Sequence, residues 1–309
     1  MRLIKSAYRK SERASKLERA GKALLALIFV STLGACSGLF FFPQREHLQT
    51  PDNLGLAYRD IELSAADGTQ LHAWFLPSVG TPKGSILFLH GNAENISTHI
   101  HNVRWLPAAG YQVLLLDYRG FGLSNGKATL SEVFFDIDAA ITWLSEAPET
   151  ADQGLFMLGQ SIGASLMLHG ATRHLNNPKL CGLVSDAAFT RYRTMVRHVA
   201  KQSWLIWPLQ YPIAWTVPGA YDPLDALPQL NTLPILFFHS RDDQIIPFSN
   251  LDTLVAAHSG PHQRVASQGR HTATFNQNNQ YKNNQNENRQ ILLDFLAENT
   301  CSATQLKLL

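Results

Sequence analysis

Cysteine is scarce, with three residues in a chain of 309, and no two of them are spaced as metal-ligand pairs. The chain has no H-E-x-x-H and no glycine loop of the kind that cradles phosphate, so neither zincin nor P-loop chemistry is encoded. His99 and His101 stand two apart, a spacing that sends them to different faces of a helix. No metal and no cofactor is expected. Charged residues are also few, at 16%. Acidic ones are nearly missing from the start, where the first 22 residues carry eight Arg and Lys against Glu12 and Glu18. The remaining 18 basic and 22 acidic residues leave the rest of the chain at −4, which argues against a nucleic-acid partner. No internal repeat is visible. What is present is apolar: 45% of the residues, enough for one large α/β domain plus an appendage.

Charge vanishes altogether from residues 23–42, ALLALIFVSTLGACSGLFFF, directly after the basic run. Two arrangements fit. In one, Leu33-Gly34-Ala35-Cys36 resembles a bacterial lipobox, and Cys36 is lipidated and becomes the mature N-terminus. In the other, the run spans the membrane as an uncleaved anchor. The lipoprotein is the preferred expectation. In both, the basic flank stays cytoplasmic and residues from Gln44 onward are exported to the periplasmic side. The chain therefore divides into an N-terminal segment, 1–43, and a domain, 44–309. Cys181 and Cys301 would lie in an oxidising compartment where they could pair. Two separately buried thiols are the expectation.

Strands and helices alternate beyond a linker at 48–56. Residues 58–64 and 71–76 flank Ala66-Asp67-Gly68 as an antiparallel hairpin. Short apolar runs at 85–89, 112–116, 155–158, 182–185 and 235–239 fit strands buried on both faces, and 263–267 is a last strand. A helix ends before Gly110, and others cover 130–147, 162–174 and 289–299. That makes eight mostly parallel strands. Residues 188–234, between the sixth and seventh, are broken by prolines and carry Trp204, Trp207 and Trp215. They form a small cap whose tryptophans either wall a substrate or pack the cap down. The Asn- and Gln-rich stretch 276–289 has no apolar face and is expected to be a solvated loop.

Gly159-Gln160-Ser161-Ile162-Gly163 sits between a buried strand and a helix. There G-x-S-x-G is the pattern that lifts a serine oxygen clear of a sheet, its glycines letting strand and helix approach. A serine nucleophile needs a base, an acid to orient it and donors for the oxyanion. In open parallel sheets these gather past the carboxyl ends of strands. His90-Gly91-Asn92 comes after the third strand, so the N–H groups of Asn92 and Ile162 would form the oxyanion hole. Asp117 to Ser124 comes after the fourth and reads as a structural loop. Asp242 and Asp243 come after the seventh, and either could be the acid. His271 comes after the eighth and is the base.

HGNAENIS, DYRGFGLSNG, GQSIGA, HSRDDQIIP and the GRH loop occur in that order. With them the chain resembles the α/β-hydrolase superfamily over about residues 52–297. The branch resembled is that of membrane-associated bacterial serine hydrolases of serine-aminopeptidase or monoglyceride-lipase type. The resemblance implies an α/β-hydrolase fold with a cap and a triad of Ser161, Asp243 and His271. Asp243 is implied because it holds the fifth place of His-Gly-x-x-Asp-x-x-x-Pro. Asp186, past the sixth strand, is the alternative some relatives use. Arg270 departs from the usual glycine and either meets substrate or faces water. The function expected is cleavage of an ester, thioester or amide through an acyl-enzyme, most simply an esterase on a small or acyl substrate. Acyl transfer on the same triad and a non-catalytic envelope-binding lipoprotein are the alternatives.

Overall fold

The computed structural model describes residues 40–202, 204–276 and 281–301, so Cys36 and the start of the uncharged run lie outside the described residues. Eight strands make one sheet: β1 (Arg59–Ser64), β2 (Gln70–Leu76), β3 (Gly84–Leu89), β4 (Tyr111–Asp117), β5 (Leu155–Gln160), β6 (Leu180–Asp186), β7 (Ile235–Ser240) and β8 (His262–Ser267). Their spatial order is β1-β2-β4-β3-β5-β6-β7-β8. β2 runs antiparallel to both β1 and β4, and every other pair is parallel. The eight strands expected from the apolar runs are all present, each within two residues at either end.

β3, β4, β5 and β6 are buried at every position because helices cover both faces. Successive side chains alternate between two cores. Leu87, Leu89, Leu114, Leu116 and Met157 face one core with α2 (Val133–Glu146) and α3 (Ile162–Ala171). Ile86, Phe88, Val113, Leu115, Phe156 and Leu158 face the other, with α1 (Ile96–His99) and the C-terminal helix α8 (Lys282–Glu298). The edge strand β1 alternates exposed and buried, since only one of its faces is covered.

Between β6 and β7 lie α4 (Tyr192–Lys201), α5 (Gln210–Trp215) and α6 (Pro223–Ala226), the cap expected from the prolines. α7 (Ser249–Ala257) joins β7 to β8. Before Gly110, α1 runs on into a 3-10 turn at Ile100–Asn102 and a separate 3-10 turn follows at Pro107–Ala109, in place of the one helix expected there.

Three further expectations change. The helix α8 starts at Lys282, so part of the Asn- and Gln-rich stretch is helical and not a solvated loop. Its buried face there is made of amides, Gln285 and Asn288, which donate to the carbonyls of Ala273 and Thr274. Cys181 and Cys301 are joined as a disulfide and are not separate thiols. α8 packs its Phe295 against Gly182 of β6, which brings the chain after the helix alongside Cys181. Finally, the aromatic run at 40–42 belongs to the domain. Phe40 and Phe41 are buried, and Phe42–Pro43 pairs as a short strand with Ala93–Glu94. The N-terminal segment thus enters the fold before Gln44.

Candidate active site

Ser161 occupies the turn between β5 and α3 with φ 57° and ψ −121°, a left-handed conformation that a non-glycine residue holds only when its surroundings force it. The force is visible at the flanking glycines. A Cβ on Gly159 would collide with Gly163 and Ala164, and one on Gly163 with the carbonyl oxygens of Leu89 and His90. With both absent, strand and helix close up and the serine side chain stands at the strand tip, 8% exposed.

His271 lies on the loop after β8. Its Nε2 is 2.8 Å from Ser161 Oγ and its Nδ1 is 2.6 Å from Asp243 Oδ2. Beside an ionised Asp243, Nδ1 carries the proton, so Nε2 is left to accept from the serine hydroxyl. Burial works to raise the Asp243 pKa. Hydrogen bonds from His239 and His271 and the Ile246 N–H outweigh it and hold the carboxyl well below the usual carboxylate range. Its Oδ1 accepts from the N–H groups of Ile245 and Ile246, at 2.8 and 2.9 Å, which fixes the plane in which Oδ2 meets the imidazole.

The other two aspartates are occupied elsewhere. Asp242 accepts from the Gly269 N–H at 3.0 Å. Asp186 is fully buried and accepts from Gln160 Nε2 and Thr274 Oγ1, both at 2.7 Å. Burial pushes its pKa up. Gln160 also donates to the Thr272 carbonyl, and Gln285 and Asn288 hold the next two carbonyls. The His271 loop is therefore tied down close to the imidazole. Neither these amides nor His239 behind Asp243 is foreseen from the sequence, because they act through backbone and burial and carry no spacing motif.

Asn92 and Ile162 line the same cavity as Ser161. His90 is fully buried, and burial drives its pKa down to about 3, so it is a neutral packing residue against Tyr118 and Phe121. The cavity has a volume of about 1050 Å³. Phe40, Phe189, Met195, Val196, Ile213 and Ile246 make it largely apolar. Arg270, Asp242 and Glu94 stand exposed at its rim. None of the three cap tryptophans lines it.

The loop after β4 is structural, as expected. Asp117 accepts from the Ile96 N–H at 3.1 Å and from His47 at 2.8 Å. A Cβ on Gly122 would strike that carboxylate. Among the described residues, His47, His72 and Asp117 are the one cluster whose ligand atoms, all within 4.8 Å, could hold a cation. None of the three lines the cavity.

Comparison with known proteins agrees with this architecture. A family model described as serine aminopeptidase, S33 (Hydrolase_4) matches residues 80–219. The chain is 27% identical over 241 residues to Escherichia coli K12 "Uncharacterized protein YfhR", covering 76% of this chain and 80% of that one. It is 29% identical over 250 residues to the Arabidopsis thaliana "Alpha/beta hydrolase domain-containing protein WAV2", covering 77% and 78%. The solved Pyrococcus furiosus esterase Pf2001 superposes with a TM-score of 0.68 at 19% identity, over 85% of this chain and 99% of that one. In sheet order, in the succession of its motifs and in its relatives, the chain is a member of the α/β-hydrolase superfamily.

Proposed function

We propose that the protein is a serine hydrolase that cleaves a carboxylic ester with an apolar acyl group, through an acyl-enzyme. The observation that carries this reading is the hydrogen-bonded chain from Ser161 through His271 to a buried, ionised Asp243 at the floor of an apolar cavity. Superfamily membership supports hydrolysis. Ester as the bond cleaved rests on the apolar lining, which suits an acyl chain and offers a peptide few partners.

Ser161 Oγ attacks the carbonyl carbon while His271 Nε2 takes its proton. The N–H groups of Asn92 and Ile162 stabilise the oxyanion. The imidazolium, held by Asp243, returns that proton to the leaving alkoxide as the carbon–oxygen bond breaks. Water then enters, His271 takes its proton, and collapse of the second tetrahedral intermediate releases the acid and restores Ser161. The elbow strain keeps Oγ poised, so the site needs no rearrangement before attack.

The tether is part of the same proposal: the domain is held at a membrane on the exported side, through a lipid on Cys36. The Cys181–Cys301 disulfide supports an oxidising compartment. With Phe40 to Phe42 engaged by the domain, 17 uncharged residues remain from Ala23, the short end of what a helical span needs. No helix among the described residues is long and apolar enough to cross a membrane.

Hydrolysis of a p-nitrophenyl ester series, acetyl to palmitoyl, by the full-length protein in detergent tests the activity. Turnover that is lost in Ser161→Ala and peaks at a medium or long chain is expected. Equal turnover by Ser161→Ala contradicts the reading. Palmitate labelling lost in Cys36→Ala is expected for the tether, and absent or unchanged labelling removes the lipid.

A further inference from the structure

Neither role expected for the cap tryptophans is the one they take. Trp204, Trp207 and Trp215 are 84%, 53% and 72% exposed. Of the fourteen large apolar side chains exposed among the described residues, seven fall within residues 204–215. A cluster of that density marks an interaction surface. Val199 and Ile206 belong both to this exposed set and to the cavity lining, so surface and cavity mouth are continuous.

Charge narrows the partner. Between Asp186 and Asp222 the chain has no acidic residue and four basic ones, Arg191, Arg193, Arg197 and Lys201. Arg191 pairs with Asp222 and Asp225. Among the described residues no carboxylate pairs with the other three, and Arg197 instead lies 4.4 Å over the ring of Tyr211. Exposed tryptophan beside unpaired arginine and lysine is the composition of a membrane–water interface.

The point where the chain enters the domain narrows it further. The Phe40 ring packs edge-on against Tyr192, the first residue of α4, at 5.2 Å. Cys36 is four residues earlier, a reach of at most about 14 Å even when fully extended. A lipid on Cys36, or a bilayer-embedded run from Ala23, therefore brings this side of the domain, cap included, onto the membrane surface.

We propose that the face of Trp204, Trp207 and Trp215, with the basic side chains of α4, docks on an anionic lipid bilayer and turns the cavity mouth toward it. The docking rests on the membrane tether proposed above and not on the hydrolase reading. Joined with that reading, it brings an acyl substrate to Ser161 from the lipid phase, past Val199 and Ile206.

The test reconstitutes full-length protein into vesicles of phosphatidylcholine and phosphatidylglycerol with brominated acyl chains. Flotation reports the tether, and tryptophan quenching reports the cap. The expected result is co-flotation with about twofold or greater fractional quenching relative to Trp204→Phe/Trp207→Phe/Trp215→Phe. Arg193→Glu/Lys201→Glu should reduce it on these vesicles. Co-flotation with equal quenching in wild type and triple variant overturns the docking and leaves the tether standing. In that case quenching by aqueous iodide shows a cap facing water. Protection from both quenchers shows it covered by residues 23–39 or by a second copy. Protein that does not float removes both tether and docking.

Discussion

The floor and the cap of the cavity differ in what they do with their side chains. At the floor, Ser161, Asp186, Gln160 and Thr274 are buried among hydrogen bonds, and His271 is fixed at both ring nitrogens. In the cap, which borders the same cavity, large apolar groups point outward, uncovered by the rest of the domain. A rigid floor holds an attacking oxygen and its base within bonding distance, which chemistry requires. A cap with an apolar exterior contributes little to that geometry and is shaped by what lies outside. Substitutions at the two places should therefore read out in different experiments.

The largest effect is expected at the floor. Ser161→Ala or His271→Ala should lower ester turnover by on the order of 10⁴–10⁶, because triad members act as a unit. Near-UV circular dichroism should be unchanged. Next comes the acid: Asp243→Asn should cost about 10⁴ in kcat, whereas Asp242→Asn and Asp186→Asn should each stay within about tenfold. The reverse ranking would move the acid to another position and break the chain from Ser161 through His271 to Asp243.

Smaller effects concern stability. Asp117 is held by His47 and His72. Burial works to raise its pKa, but those hydrogen bonds lower it from 3.8 to about 2. A carboxylate depressed in the folded state adds stability above its unfolded pKa and loses it as pH falls through the folded one. The contribution is about 2 kcal/mol, present above roughly pH 4 and gone near pH 2. Urea midpoints of wild type should fall across that window, and those of Asp117→Asn should be lower at neutral pH and flatter. Asn288→Ala, which leaves the Thr274 carbonyl without its partner, should cost about 1–3 kcal/mol by the same measurement. Smallest of all, Trp204→Ser should change stability by no more than about 0.5 kcal/mol, since the ring has little burial to lose. A large loss there would mean the cap depends on its tryptophans after all.

The floor is legible in the sequence for the same reason that it is rigid. A parallel strand buried on both faces must be a short apolar run, and the loops at the carboxyl ends of neighbouring strands must lie close together. Ser161, Asp243 and His271 can be placed together from those two facts and the resemblance, and the structure brings all three within hydrogen-bond distance. Strand position does not separate Asp242 from Asp243; the resemblance implies Asp243 by its place in the motif, and the loop geometry sends Asp242 to Gly269 and Asp243 to His271. The first half of α8 escapes a reading of periodicity, which relies on apolar residues, because its buried positions are Gln285 and Asn288, satisfied by carbonyls of a distant loop. The disulfide escapes it because it spans 120 residues and depends on where α8 docks. The outward tryptophans escape it because composition says how apolar a segment is and not which way it faces.

Everything proposed for the floor depends on Ser161 being a nucleophile, which covalent labelling reads out in a single step. Full-length protein treated with a fluorophosphonate should gain the mass of one phosphonyl group, mapped by peptide sequencing to Ser161 and missing in Ser161→Ala. Esterase turnover should fall in step with the labelled fraction. Labelling at another residue, or no labelling of a protein that still turns over ester, would mean that Ser161 is not the nucleophile.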